Sequence, residues 1–154
     1  MVIETINGRA LKLTIELVPM PLHYKSIRSA VSGGKWNYIR KKVYKSANWT
    51  CQTCGASDKQ VHAHEIWKYD DAKHIQKLVG FICLCPDCHL VKHMGFANTQ
   101  GRHDEAFGHF IKVNKLSIEE AKEIEDETWK LWTERSNNKW FQDISYVKEF
   151  TKNM

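Results

Sequence analysis

Apolar and polar residues alternate along an early part of the chain. Every second residue from Leu11 to Leu17 is apolar, and the residues between them are polar. A period of two is typical of a β-strand with one buried face. The pair Asn7-Gly8, just ahead of this pattern, favours the tight type I′ turn of a hairpin. We therefore predict a β-hairpin over residues 2–17.

Later segments have apolar residues at helical spacing instead. Residues 35–47 carry such a stripe, with basic residues off it, and residues 104–114 carry a shorter one. The first stripe consists of Trp36, Ile39, Val43 and Ala47. These patterns predict a basic helix in the first half of the chain and a short helix in the second.

The C-terminal part shows the strongest helical signal. Residues 117–135 have an apolar stripe, and Ser117 and Glu120 have the spacing of a capping box. Residues 140–150 are predicted to form a last amphipathic segment that packs back on the core. The sequence thus predicts an α+β protein in which residues 104–150 are helical.

Composition restricts the class of protein. The chain has 154 residues, 42% hydrophobic and 27% charged, with a net charge of +5. These values are ordinary for a single soluble globular domain. It has no apolar run near the roughly 20 residues of a membrane span and no signal-peptide pattern, so we predict a cytoplasmic protein without a membrane partner. In a reducing compartment, paired cysteines indicate metal rather than disulfides.

Positive charge is concentrated in one segment. Between Glu16 and Asp58 there is no acidic residue, and the lysines, arginines and aromatic residues there suit a polyanion such as nucleic acid. The alternative is a solvated helix face, and charge alone does not separate the two. The segment leads directly into a cysteine pair, which favours nucleic acid. The residues predicted to contact phosphates here are Lys35, Arg40, Lys41, Lys42 and Lys45.

Two Cys-x-x-Cys pairs predict a structural zinc site. Cys51 and Cys54 form the first pair, and Cys85 and Cys88 form the second. Each pair places two thiolates on a tight turn, and together they supply the four ligands of a zinc tetrahedron. The alternative is a set of free buried thiols, which would not need this spacing. The fifth cysteine, Cys83, is predicted to be a small buried apolar residue.

Histidines near the second cysteine pair predict another metal site. His89 and His93 are four residues apart, on one face of the helix that Pro86 is predicted to start. His62 and His64 share one face of a predicted strand. His64, His89 and His93 can then bind one divalent metal and leave positions open for a phosphate and water. Taken singly, each histidine would more often be a hydrogen-bonded structural residue.

The stretches His64–Asp71 (HEIWKYDD) and Leu84–His93 (LCPDCHLVKH) resemble the HNH, or ββα-metal, endonuclease family, in particular its small bacterial and phage members. The resemblance is strongest over residues 48–97. It implies a ββα-metal core there, clamped by a four-cysteine zinc site, with the N-terminal hairpin and the C-terminal helices around it.

The resemblance also implies a general base directly after the first metal ligand, most often histidine. This chain has Glu65 at that position, and a carboxylate is a weaker base than imidazole. Either Glu65 takes the proton of the attacking water, or it orients or binds while His62 or His64 is the base, or hydrolysis is weak or lost. The asparagine of the family name is not in its usual place. The residues that can replace it are Asp70, Asp71, His74 and Gln76.

These features predict a metal-dependent endonuclease that hydrolyses phosphodiester bonds. The expected substrate is DNA, with RNA left open, and the expected catalytic metal is Mg²⁺, Mn²⁺, Ni²⁺ or Zn²⁺. Lys92 and the basic segment would hold flanking phosphates, so sequence preference should be slight. One alternative is a zinc-stabilised nucleic-acid-binding module with a weakened or lost site. A purely structural or protein-binding zinc domain ranks last, since it leaves His89 and His93 without a use. The sequence identifies no protein partner.

Overall fold

A small three-stranded sheet carries the segments that hold the cysteines and histidines. The computed structural model describes residues 4–6 and 8–154, with side chains from residue 8 onward. Strands β3 (His62–Asp70) and β4 (Ile75–Leu84) pair antiparallel, with a shift in register between Ile66 and Trp67. Strand β5 (Phe141–Asp143) then adds to β4 in parallel.

The remaining elements in the described ranges are a two-stranded hairpin, a 3₁₀ turn and seven α-helices. The hairpin consists of β1 (Glu4–Ile6) and β2 (Arg9–Leu11), and the 3₁₀ turn covers Met20–Leu22. The helices are α1 (Ile27–Ala30), α2 (Gly33–Ser46), α3 (Pro86–Lys92), α4 (Met94–Thr99), α5 (His103–Asn114), α6 (Ile118–Ser136) and α7 (Tyr146–Phe150). The protein is therefore mixed α+β, as predicted.

Two apolar cores hold the sheet in place. Ala63 and Cys83, which are paired across β3 and β4, belong to a core shared with helices α1, α2 and α7. Ile82, which directly precedes Cys83 on β4, packs against a second core formed with helices α3 to α6. Because neighbouring side chains of a strand point to opposite faces, the two cores cover opposite faces of the hairpin β3–β4. The site residues on these strands are thus supported from both sides.

The N-terminal hairpin is shorter than the predicted range 2–17. Strand β2 ends at Leu11, and the alternating residues that follow form an irregular segment, which begins with a bend at residues 12 and 13 and is not part of either described sheet. Asn114 of α5 accepts hydrogen bonds from the backbone N–H groups of Lys12 (2.9 Å) and Leu13 (3.1 Å), and donates one to the Leu13 carbonyl (2.8 Å). The side-chain amide thus replaces a strand partner. Of the predicted turn, Asn7 lies outside the described residues, and Gly8 has a φ of +79°.

The C-terminal part is not wholly helical, which corrects the prediction for residues 104–150. Strand β5 interrupts it, and the Phe141 N–H donates to the His74 carbonyl at 2.9 Å to start the parallel pairing. Gln142 also donates to the Gln76 side-chain oxygen at 2.9 Å. This pairing joins residues far apart in the chain, so local periodicity could not reveal it. Helix α6 begins as predicted, with the Ser117 and Glu120 capping box formed. None of the described helices is long and apolar enough to cross a membrane.

Candidate metal centres

The four cysteines of the two Cys-x-x-Cys pairs form one cluster. Their sulfur atoms all lie within 4.8 Å of one another, and three of the four residues are buried. The sulfurs of Cys54 and Cys85 are 3.6 Å apart. Two thiolates bound at about 2.3 Å to one zinc in a tetrahedron lie about 3.8 Å apart, so the spacing fits. The group can hold a structural metal such as zinc.

Local backbone structure presents each pair of thiols. We call each Cys-x-x-Cys turn a knuckle. In the first knuckle, the Cys51 N–H donates a hydrogen bond to the Ala56 carbonyl at 2.9 Å, and Gly55 supplies the positive φ (+81°) of the turn. Gln52 pins this knuckle to β4, because its backbone N–H donates to the Cys83 carbonyl and its side-chain oxygen accepts the Cys83 N–H, both at 2.9 Å. Cys83 is buried, as predicted, and its backbone also supports the first knuckle.

The second knuckle is the start of helix α3. Cys85 caps this helix, since its sulfur accepts the Cys88 N–H at 3.4 Å, and Pro86 occupies the first helical turn. Hydrogen bonding to Cys51 and burial raise the pKa of Cys88, and burial raises the pKa of Cys85 to about 11. The bond from Cys88 lowers the pKa of Cys51 to about 4. Four thiolates at this spot therefore require a cation.

His109 is a neighbour of the cluster that the sequence does not single out. Its Nε2 atom lies 3.2 Å from the sulfur of Cys88. An imidazole N–H at this distance can donate to a thiolate and stabilise its charge. His109 lies on helix α5, with no motif around it, so only the packing of α3 against α5 reveals this contact.

His64, His89 and His93 form the second cluster. One ring nitrogen of each lies within 4.8 Å of one from the other two, so the group can hold a metal ion. The Nε2 atoms of His89 and His93 are 3.0 Å apart, close to the spacing of about 3.3 Å for two nitrogens on one tetrahedral zinc. His64 lies on β3, His89 lies on α3, and His93 is the residue that ends α3. The strand and the helix thus bring the predicted ligands together.

The imidazoles on α3 are held in the state that binds a metal. Burial, followed by the charges of neighbouring histidines, lowers the pKa of His89 to about 3. Although His93 is an exposed residue, partial desolvation of its ring and the charge of His64 lower its pKa to about 4. Both rings are therefore neutral at pH 7, with a lone pair available on each ring.

Among the described residues, one ring nitrogen of His64 has no hydrogen-bond partner. The residue is 3% exposed, and its Nδ1 atom is buried without a hydrogen-bond partner among the described residues. Its other nitrogen, Nε2, lies 2.8 Å from a carboxylate oxygen of Glu16. A buried polar atom is normally paired, so an unpaired one needs an explanation. A bound cation is the partner that suits a lone pair beside His89 and His93.

His62 and Glu65 lie next to this cluster, in different environments. The Nδ1 atom of His62 is 2.8 Å from the Nδ1 atom of His89, so one of them donates to the other. Glu65 accepts the backbone N–H of Ile27 at 3.1 Å through Oε1. That bond fixes the start of α1 and uses one carboxylate oxygen, which leaves Glu65 a second oxygen for another contact.

The residues considered for the missing asparagine are mostly engaged in the hairpin turn and its supports. Asp70 accepts backbone N–H groups of the turn, and Asp71 pairs with Arg135 at 2.8 Å. His74 packs against the ring of Trp140. Gln76 is buried and accepts from Gln142, but it also lines the cavity described next.

A cavity of about 460 Å³ opens beside the histidine cluster. His64 and His93 form part of its wall, together with Glu65. Aromatic side chains form much of the remainder, namely Phe96, Trp129 and Trp132. A ligand in this cavity would lie against side chains of the histidine cluster and against Glu65.

The predicted phosphate contacts do not all present free charge. Lys41 and Lys45 on α2 are exposed, and Lys35 and Arg40 are partly exposed. Lys42 instead donates to the Phe150 carbonyl at 2.8 Å, so its ammonium helps α2 pack on α7. Lys92, expected to hold a flanking phosphate, is 5% exposed and donates to Thr14 at 2.6 Å. Its burial corrects that expectation and gives it an internal role.

Comparison with protein-family models, with curated proteins and with solved structures finds no match to this chain.

Proposed function

We propose that this chain is a metal-dependent endonuclease of the HNH type that hydrolyses phosphodiester bonds in DNA. The observation that carries the proposal is the histidine cluster. Three imidazoles share one spot, two of them are held neutral, and His64 keeps a buried nitrogen without a partner among the described residues. A purely structural zinc domain would give these rings no reason to converge.

The order of elements supports the HNH type. A two-stranded hairpin, β3–β4, leads into the short helix α3, and the hairpin and helix together carry the three histidines. The four-cysteine cluster sits at the base of the same helix, because Cys88 and His89 are consecutive residues. A rigid structural metal site next to a catalytic one would fix the positions of the ligands, which catalysis requires.

The residues of this chain can divide the hydrolysis among them. His64, His89 and His93 would hold a divalent cation, which when bound supplies Lewis-acid stabilisation of charge on the phosphate. Glu65, on the wall of the same cavity, would accept the proton of the attacking water through its second oxygen. His62 is the other group that can act as base, since it lies against His89.

Substrate binding would depend mainly on charge. The chain has a net charge of +5, and Lys41 and Lys45 are exposed on α2. Lysine contacts to phosphates attract any sequence about equally, so little sequence preference is expected. The resemblance favours DNA, whereas the charge suits either nucleic acid, and a labelled RNA strand of the same sequence tests the other polyanion.

Nicking of supercoiled plasmid tests the proposal directly. The zinc-loaded wild-type protein should convert the plasmid to open circles with at least one of Mg²⁺, Mn²⁺, Ni²⁺ and Zn²⁺, and should stop when EDTA is added. Binding of the plasmid without nicking under all four metals would reject the enzyme. It would favour the second candidate, a zinc-stabilised nucleic-acid-binding module with a weakened or lost site. One observation favours that candidate. Glu65 occupies the position where a histidine is expected, and its carboxylate accepts a hydrogen bond from the Ile27 N–H.

Replacing Glu65 by glutamine should lower the nicking rate by about 100-fold or more, since a general base contributes about 10²–10⁴-fold. Glutamine keeps an oxygen that can accept the Ile27 N–H, so the start of α1 should stay in place. Glu65→His restores a base and should recover part of the rate. The measurement is the initial nicking rate at saturating metal.

Full activity in Glu65→Gln would remove Glu65 from the role of base. His62→Gln serves as the parallel variant. A loss confined to His62→Gln, with metal affinity unchanged, would assign the proton transfer to His62 instead.

A further inference from the structure

Glu16 lies in the extended segment after β2, and its carboxylate reaches two residues of the site. Its Oε2 atom is 2.8 Å from Nε2 of His64, and its Oε1 atom is 3.6 Å from the ammonium of Lys92. We propose that Glu16 is a positioning residue of the metal site, which fixes His64 in the tautomer that has its proton on Nε2 and a bare, buried Nδ1. The inference rests on the proposed metal site, not on the cleavage reaction.

The hydrogen-bond inventory leads to this tautomer. A neutral imidazole has one N–H, and an ionised carboxylate only accepts. Oε1 of Glu16 lies 3.6 Å from the buried ammonium of Lys92, and this ion pair keeps the carboxylate an acceptor. The short contact to Oε2 therefore places the proton of His64 on Nε2. The lone pair then lies on Nδ1, the atom that is buried without a partner among the described residues.

The carboxylate is itself fixed in direction. Lys92 lies on α3 between His89 and His93 in sequence, and its side chain is 6% exposed. Its ammonium donates to the Thr14 hydroxyl at 2.6 Å and approaches Glu16. Thr14 and Glu16 alternate with Leu13 and Ile15, which are buried in the core with α3 to α6. The alternation that suggested a strand thus serves to point two polar side chains at α3.

Metal-binding histidines commonly donate their other N–H to a carboxylate, which orients the ring and raises its basicity. Loss of such a partner typically lowers metal affinity by about 10–100-fold. His89 has a comparable contact with a second residue. Nδ1 of His62 lies 2.8 Å from Nδ1 of His89, so the other ring nitrogen of His89, Nε2, remains beside His93. Glu16 differs from His62 in that its negative charge also favours a nearby cation.

The test measures metal binding without any nucleic acid. The full chain with zinc in its cysteine cluster is titrated with Mn²⁺ by calorimetry, as wild type, Glu16→Ala, Glu16→Gln and Glu123→Gln. Glu16→Ala should bind Mn²⁺ about 10–100-fold more weakly. Glu16→Gln keeps an acceptor oxygen but loses the charge, so its affinity for Mn²⁺ should lie between those of wild type and Glu16→Ala. Glu123 forms an exposed pair with Arg9, so Glu123→Gln is the matched carboxylate control and should bind like wild type.

A spectroscopic measurement separates positioning from general destabilisation. Long-range ¹H–¹⁵N spectra of ¹⁵N-labelled protein, with zinc in its cysteine cluster and no Mn²⁺ added, report which ring nitrogen of His64 carries the proton. Wild type should show it on Nε2, and Glu16→Ala should show a mixture of tautomers. A wild-type proton on Nδ1 would overturn the inference, even if Glu16→Ala proves too unstable to study.

Failure of the metal site and failure of the role of Glu16 give different results. Wild-type protein that binds no Mn²⁺ beyond its zinc would overturn the metal site itself, and the inference with it. Wild-type protein that binds Mn²⁺ with the same affinity as Glu16→Ala would overturn the role of Glu16 alone.

Discussion

Replacing Cys51 with alanine is expected to unfold the part of the chain that carries both clusters, with loss of the bound zinc. Zinc binding contributes about 10–16 kcal/mol to the folding of small zinc domains. The whole free energy of unfolding of a typical domain is only about 5–15 kcal/mol. The remaining buried thiols would also lose the cation that allows them to ionise together.

Cys83→Ala is the matched control for this variant. Cys83 is equally buried, but it holds the first knuckle through its backbone N–H and carbonyl, which alanine keeps. Its loss of a buried sulfur should cost about 1 kcal/mol, as for an average substitution. Urea unfolding followed by circular dichroism, with zinc counted by mass spectrometry, distinguishes the two variants. Either of two results would contradict the structural zinc site. One is purified, unchelated protein that contains no zinc, and the other is a Cys51→Ala variant that is as stable as Cys83→Ala.

Replacing His89 with alanine is expected to abolish metal-dependent nicking while the protein stays folded and zinc-loaded. His89 lies within reach of both His62 and His93, so its removal takes away one of three proposed ligands and opens the cluster. Loss of an outer partner of a ligand costs about 10–100-fold, so loss of a ligand should cost at least about 100-fold. The measurement is the nicking rate at several metal concentrations, together with plasmid binding.

His74→Asn is the matched control, because it also removes an imidazole but at a position outside the histidine cluster. His74 lies in the turn after β3 with a φ of 54°, which asparagine tolerates, and its ring packs on Trp140 away from the cluster. This variant should nick like wild type. If His89→Ala nicks as fast as His74→Asn, the histidine cluster is not the catalytic site.

The two Cys-x-x-Cys pairs and the pair His89 and His93 could be predicted because the spacing within each pair is local. A Cys-x-x-Cys turn and a pair of histidines four residues apart on a helix have the same local geometry in any fold. The first helical residues of α3 and α6 were also predictable, from Pro86 and from the Ser117 and Glu120 capping box. In each case the signal lies within a few residues of the structure it determines.

The residues that sequence reasoning missed depend on contacts between distant segments. Glu16 reaches His64 from 48 residues away in the chain, and no motif surrounds it. The alternation around it predicts a strand, but in the structure Leu13, Thr14 and Ile15 are buried in succession, because the segment packs on helices instead of pairing in a sheet. The sequence predicts a phosphate contact at Lys92, since only the packing of α3 on the Thr14 segment shows that its ammonium is buried.

Anomalous diffraction from a crystal grown with Mn²⁺ is the sharpest test of the two-metal arrangement. Data collected near the zinc and manganese edges would separate an ion at Cys51, Cys54, Cys85 and Cys88 from an ion at the histidines. We expect zinc at the cysteines and manganese bound by Nδ1 of His64 together with His89 and His93. Zinc at the cysteines with no ion among the three histidines at saturating Mn²⁺ would contradict the proposal.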